Sequence, residues 1–182
     1  CGVFKLDLAL SDPIPWTDEW CRKAGTVHVG GTFEEIATSE EDTASGRHPE
    51  RPYVLVAQQS LCDDSRAPSN KHTCWAYCHV PNGSSRDMSE PILKQIERYA
   101  PDIRDCIMEQ HSMNTEAIQA YNPNYIGGDI NGGKQDITQL FTRPAGLFDP
   151  SHIPDTHYYI CSSSTPPGGG VHGLCGDHAA AS

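Results

Sequence analysis

The chain has 182 residues and carries 13 Lys and Arg against 24 Asp and Glu, for a net charge of −11. This balance, with no basic cluster, argues against a nucleic-acid partner, because neutralising phosphates needs a basic face. No apolar run approaches the roughly 18 residues of a membrane span, so we expect no transmembrane segment. The length suits one buried core, alone or with an appended segment.

The first half of the chain predicts a sheet. Residues 4–10 begin with alternating apolar and polar side chains, as in a half-buried strand. Thr26–Val29 predicts a second strand that Gly30 and Gly31 end. Residues 53–58 form a nearly continuous apolar run, which is typical of a strand buried on both faces. His72–Val80 is the fourth predicted strand.

The fourth strand predicts two different faces. Alternation places Cys74, Ala76, Cys78 and Val80 on one face and Trp75, Tyr77 and His79 on the other. The first face is predicted to be core. For the second face the sequence leaves two alternatives open, ordinary sheet packing and the lining of a substrate cavity.

Several helices are predicted. Thr32 and Glu35 have the spacing of a capping box, whereas residues 39–52 suggest a surface loop or a weak helix. Ser89 is predicted to cap a second helix. Residues 102–107 suggest a third, and Thr115–Tyr121 a short fourth. A long loop rich in Gly and Asn follows at residues 122–133, and loops of this kind are more often functional than idle.

The C-terminal segment carries the most distinctive pattern. Residues 158–164 predict a short strand, and a helix is predicted to start near Val171. Between them, Gly168, Gly170 and Gly173 satisfy G-x-G-x-x-G. Such glycines let a ligand lie on the main chain, and a helix start favours negative charge. The second strand and the acidic residue of a full dinucleotide fingerprint do not follow.

Other site types receive less support. The eight cysteines include no C-x-x-C pair, so we predict reduced, mostly structural thiols and a cytosolic-type compartment. The spacing of His172, Cys175 and His178 fits one helix face poorly, and we predict no metal site. Neither G-x-S-x-G nor H-E-x-x-H occurs. We assign no catalytic residue, with His79 as a base only a minor alternative.

Four blocks, in order, resemble the phytoene dehydrogenase-like FAD-dependent oxidoreductases. They are DDSRAPSNKHTCWAYCHVP (63–81), QIERYAP (95–101), NPNYIGGDI (122–130) and CSSSTPPGGGVHGLCG (161–176). The resemblance covers nearly the whole chain from about Phe4 onward. It identifies the chain as similar to a C-terminal portion of such enzymes, without their N-terminal glycine-rich βαβ unit.

The resemblance implies an amine-oxidase-like fold. We expect an α+β protein whose mostly antiparallel or mixed sheet has about four to six strands with helices on one side, followed by a C-terminal strand-loop-helix. Residues 1–145 would be the substrate-binding domain, and residues 146–182 the returning segment of the FAD-binding domain.

The resemblance also implies a function. FAD in the intact protein would take a hydride from a lipophilic, unsaturated or amine-like substrate, and this chain alone would be inactive. The implied substrate-binding residues are Trp75, Tyr77 and His79. The implied cofactor-binding residues are Thr165, Gly168, Gly169, Gly170, Val171, His172 and Gly173.

A second hypothesis treats the chain as a non-catalytic interaction module. An exposed strand at residues 158–164 would then pair with another copy to form a homodimer. We expect a cytoplasmic protein, with peripheral membrane association or an organelle as the alternatives.

Overall fold

The structure, a computed structural model, describes residues 1–134, 136–139, 142–144 and 149–182. The chain divides into two compact units, Cys1–Gly128 and Asp129–Ser182. The domain boundary predicted from the resemblance falls at residues 145 and 146, which lie outside the described residues. That functional division stays a prediction.

The first unit contains a five-stranded sheet. Its strands are β1 (Gly2–Leu10), β2 (Thr26–Val29), β3 (Val54–Ala57), β4 (His72–Val80) and β5 (Ile107–Met113). They lie in the order β2-β3-β4-β1-β5, and every neighbouring pair is antiparallel. The prediction of an α+β protein with a largely antiparallel sheet of this size is confirmed.

The helices that the structure describes are short. They are α1 (Phe33–Ala44), α2 (Ser89–Glu97), α3 (Ile103–Cys106), α4 (Thr115–Tyr121) and α5 (Leu174–Ala181), with 3-10 turns at Gln59–Leu61, Asp64–Arg66 and Ile126–Gly128. α4 has its predicted bounds, while α1 continues through residues 39–44, where a loop or weak helix was expected. Within the described part of the chain, no helix is both long and apolar enough to cross a membrane.

β5 is the element that the sequence did not reveal. The predicted helix at residues 102–107 ends after one turn, and Ile107 begins the strand instead. Five of the seven β5 residues are exposed, so the strand has no alternation of apolar and polar positions to announce it. Its pairing with β1 therefore decides its conformation.

The core lies on one face of the sheet. Phe4, Leu6 and Leu8 of β1 stand opposite Cys78, Ala76 and Cys74 of β4, and all six side chains are buried. Ile92 and Ile96 of α2 belong to the same buried cluster. The predicted core face of β4 is confirmed.

A buried polar network ties the segment after β1 to the end of β3. Trp16 is 1% exposed and donates its indole Nε1–H to Oε1 of Gln58 over 2.9 Å. The amide nitrogen of Gln58 donates to the carbonyl oxygens of Ala24 and Cys21, at 2.8 and 3.1 Å. Each polar atom of this side chain thus has a partner away from water.

Glu35 joins the start of α1 to the end of α2. Its carboxylate accepts from the Thr32 N–H at 3.0 Å, while the Glu35 N–H donates to the Thr32 hydroxyl, so the predicted capping box is present. Arg98 and Arg51 also donate to this carboxylate. The hydrogen bond from Arg98, then those from Thr32 and Arg51, lower the pKa of Glu35 to about 2.

All eight cysteines are free thiols, including the buried Cys74, Cys78 and Cys175. Burial is the main cause that raises the pKa of Cys74 and of Cys78 to about 12. These two thiols stay protonated and pack as small hydrophobic groups.

We expect Gln58→Leu to lower the free energy of unfolding by about 2–4 kcal/mol, because it leaves the Trp16 N–H and two carbonyl oxygens unpaired. Urea denaturation measures the change. Gln59→Leu is the matched control, since Oε1 of Gln59 is already buried without a partner among the described residues. It should leave stability nearly unchanged, and an equal loss in both variants would contradict the assigned role of Gln58.

We also expect stability to fall as pH rises from about 9 towards 12. The unfolded chain releases the Cys74 and Cys78 protons near pH 9, whereas the folded state holds them up to about 12. Each thiol then contributes a loss of up to about 1.4 kcal/mol per pH unit. Urea denaturation at about pH 8 and about pH 10 tests this. The Cys74→Ala/Cys78→Ala variant should lose less stability over that interval, and equal losses would count against the assignment.

Candidate functional site

The predicted cofactor segment lies in the second unit and begins with a tight hairpin. Ile160 donates its N–H to Ser151 O at 2.7 Å, and Ile153 donates to Tyr158 O at 3.0 Å. His152 and Tyr159 form a single β-bridge. The strand predicted at residues 158–164 is therefore reduced to one bridge, and dimerisation through these residues stays a prediction.

A compact turn at residues 162–168 precedes the glycines. Ser162 O accepts from both the N–H and the hydroxyl of Thr165, at 3.0 and 2.8 Å. Thr165 O in turn accepts from the Gly168 N–H at 2.8 Å. The Thr165 side chain is fully buried and its hydroxyl is already engaged. Thr165 therefore shapes the loop rather than presenting a free hydroxyl.

Cys175 fastens the first turn of α5 to this loop. Its thiol lies 3.3 Å from Gly168 O and 3.7 Å from Thr165 O, within hydrogen-bond range for sulfur. The residue is buried. From the sequence, Cys175 was considered only as a metal ligand or a helix residue. The one sequence feature that could have indicated its contact with the loop is a thiol within a predicted helix of small residues.

The glycines then present bare backbone. Gly168, Gly170 and Gly173 have φ values of +99°, +153° and +70°. A Cβ added to Gly170 would lie 2.6 Å from the His172 ring, so glycine is required there. The Val171 side chain is fully exposed. Among the described residues, no acceptor pairs with the N–H groups of 169–172, and these donors face no protein partner.

α5 starts three residues later than predicted, at Leu174 rather than near Val171. Gly173 is its N-cap, without a capping side chain, and His172 Nδ1 accepts from the Leu174 N–H at 3.0 Å. His172 thus partly serves as a substitute cap. The remaining predicted cofactor-binding residues lie in the turn just before the helix.

Asp129 and Arg143 brace a neighbouring turn. Asp129 accepts from the Asn131 N–H at 2.7 Å and from the Gly133 N–H at 3.2 Å. Arg143 Nη2 donates to Asn131 O at 3.2 Å and to Gly132 O at 3.3 Å. Both side chains are buried, at 9% and 4% exposed. Asp129 thus caps this turn, whereas the role of Arg143 was not predicted from the sequence.

The braced turn also packs against the loop before the glycines. A Cβ on Gly132 would lie 2.6 Å from the Ser163 hydroxyl and 2.9 Å from that of Ser164. Loop 129–133 and segment 162–165 are therefore in close contact within one unit. These contacts flank a turn whose exposed backbone N–H groups could donate to a ligand that accepts hydrogen bonds.

The predicted substrate-binding residues lie in the first unit. Trp75, Tyr77 and His79 are half-buried on the face of β4 opposite the core. The Trp75 and Tyr77 rings are nearly parallel, with centroids 6.0 Å apart, and the His79 ring follows at 6.1 Å. The structure thus brings the three rings into one row along the strand.

Charged and polar groups surround one end of this row. Nδ1 of His79 lies 2.8 Å from Oε2 of Glu40, and the Tyr53 hydroxyl lies 2.7 Å from Nδ1 of His28. Burial, then Tyr53 and Glu40, raise the pKa of Tyr77. A carboxylate-oriented imidazole beside phenols can accept a hydrogen bond or a proton.

Two grooves in this unit are not lined by residues of the aromatic row. One, of about 520 Å³, is lined by Gly83, Ser85, Thr115, Glu116, Gln119, Ala120, Pro123 and Gly127. Another, of about 540 Å³, is lined by Glu50, Arg51, Arg86, Glu90, Pro91, Lys94, Gln95 and Arg98. Within the first unit, Trp75, Tyr77 and His79 therefore present a surface rather than line one of these grooves.

Arg66, which lies in the block at residues 63–81, has a local role. Arg66 pairs with Asp63 at 2.8 Å within one 3-10 turn. Across the residues that the structure describes, no group of three or more His, Cys, Asp or Glu side chains is arranged to hold a metal ion. No protein-family model and no curated protein matches the chain.

The helix start gives a paired prediction. Gly173→Ala should weaken α5 by about 1–2 kcal/mol, because an L-residue is strained at φ +70°. Gly176→Ala should strengthen it by about 0.5–1 kcal/mol, because alanine loses less backbone freedom than glycine in a helix. The added Cβ has no other atom within 4 Å, so it causes no clash. Amide hydrogen exchange at residues 177–181 measures both changes, and shifts of the same sign would contradict the left-handed cap.

Proposed function

We propose that this chain contributes the substrate-binding part and the isoalloxazine end of the flavin site to an FAD-dependent oxidoreductase resembling phytoene dehydrogenases. The observation that carries the proposal is the turn at residues 168–173, where three glycines have positive φ and four consecutive N–H groups lack a partner among the described residues.

The chemistry of the turn supports an electron-rich, planar ligand. Backbone N–H donors stabilise negative charge without a side chain, and glycine lets a flat ring approach the main chain. The N-terminus of α5 adds positive potential beside them. A reduced flavin carries negative charge at its ring, so such a turn favours the reduced form.

The resemblance supports the same assignment. Its block at residues 161–176 contains the Thr165 turn, the glycines and Cys175, and its block at residues 122–130 ends in the turn that Asp129 caps. Gly132, two residues after the first of these blocks ends, packs against Ser163 and Ser164 of the other block. Under this proposal, the residues that carry the resemblance would shape the turn that holds the flavin.

The substrate surface is assigned to the row of Trp75, Tyr77 and His79 on the first unit. Aromatic side chains offer large apolar area with polar tips, which suits a lipophilic substrate. FAD, when bound, would supply hydride acceptance, and the aromatic row would bind and orient the lipophilic substrate. Glu40 would fix the His79 ring so that its other nitrogen can take a hydrogen bond from the substrate.

The test is made on the protein as its gene encodes it. We expect denaturation of the purified protein to release FAD, identified by absorbance, fluorescence and chromatography. Gly170→Ala should lower the bound FAD at least about tenfold, because the added methyl displaces the His172 ring and closes the turn.

Gly46→Ala is the matched control. Gly46 also has a positive φ, of +79°, and nothing lies within 4 Å of an added Cβ. It should carry similar backbone strain without loss of FAD. A protein that releases no flavin and takes up none from added FAD would overturn the proposal.

A further inference from the structure

The outer edge of β5 is an unpaired strand at one side of the sheet. Among the residues that the structure describes, β5 pairs with β1 alone, and residues 108–112 are exposed. An edge strand presents a row of N–H and C=O groups that another strand can pair with.

β5 has only part of the usual protection of such an edge. Its sequence, IMEQHSM, contains no Lys, Arg or Pro. The pairing with β1 shifts register between Ala9 and Leu10, which makes Met108 an extra residue. This irregularity limits a regular edge contact to about five residues. β2, the other edge, has only four residues.

Pairing with a second copy is restricted by geometry. In an antiparallel ladder, two residues that stand opposite each other either both point their N–H and C=O groups at the other strand or both point them away from it. Two identical strands can therefore pair only around a residue that stands opposite itself. For this edge the central residue is Glu109, Gln110 or His111.

Charge distinguishes these three registers. A centre at Glu109 would place two carboxylates opposite each other, and a centre at His111 would oppose two imidazoles. A centre at Gln110 places each Glu109 opposite the His111 of the second copy, where the carboxylate accepts a hydrogen bond from the imidazole. The two central Gln110 amides can also pair.

We propose that β5 pairs antiparallel with β5 of a second copy of this chain, centred on Gln110, to give a continuous ten-stranded sheet. Each sheet face continues across the two-fold axis, so the aromatic rows of both copies lie on one side. The inference does not depend on the flavin assignment. Because the contact is small, we expect dimer formation to rise between about 10 µM and about 1 mM protein.

The first test fixes the register by cross-linking. Gln110→Cys places the two introduced thiols opposite each other, so an added mild oxidant should join them within a distance that disulfides accept. Ser112→Cys, on the same strand, faces Met108 of the second copy and should not cross-link. Mass spectrometry separates the products from any linkage through the exposed Cys1, Cys62 and Cys161.

The second test exchanges the charges. Glu109→Lys should weaken dimerisation at least about tenfold, because both hydrogen bonds between Glu109 and His111 are lost and two cations are added to the contact. The double variant Glu109→Lys/His111→Glu restores an opposite pair and should recover it. Glu116→Lys makes the same charge change at an exposed α4 position and should have no effect. Sedimentation velocity over a concentration series measures all four proteins.

Dimerisation with the Gln110→Cys linkage and recovery in the double variant would support the proposal. A wild-type protein that stays monomeric up to about 1 mM would overturn it. So would linkage through His111→Cys in place of Gln110→Cys, or a dimer that ignores the Glu109 change.

Discussion

The pairing of β1 with β4 is the interaction on which the rest of the first unit depends. It runs over nine residue pairs, Gly2–Val80 to Leu10–His72, through the middle of the sheet. Its buried side supplies the apolar surface that α2 covers, and its outer edges receive β3 and β5. Because both strands are long and central, errors in their register would expose the core and move the aromatic row at once.

Much of this arrangement was predictable from the sequence. β4 alternates apolar and polar-aromatic residues without interruption, so its bounds and its core face were predicted correctly. Thr32 and Glu35 specify the start of α1 through two reciprocal hydrogen bonds between neighbours in the chain. Such local signals can be recognised in the sequence without knowledge of the tertiary contacts. β5 lacked one, because an exposed edge strand need not bury either face.

The geometry of the glycine turn was less predictable. Its glycines were recognised, yet the groups that hold it are distant in sequence or chemically inconspicuous. Cys175 binds carbonyls seven and ten residues earlier, and Arg143 binds carbonyls eleven and twelve residues earlier. Neither contact follows from a periodic pattern or a spacing rule. The glycine pattern therefore predicted which residues expose their backbone, but not which side-chain contacts hold these loops in place.

The two faces of β4 are subject to different constraints. Its even-numbered residues from Cys74 to Val80 are constrained by volume, since each occupies a closed interior. Its odd-numbered residues Trp75, Tyr77 and His79 are constrained only by what meets them on the other side. Substitutions at the odd-numbered positions of β4 can therefore change the outer surface of the sheet without disturbing the packing of its core.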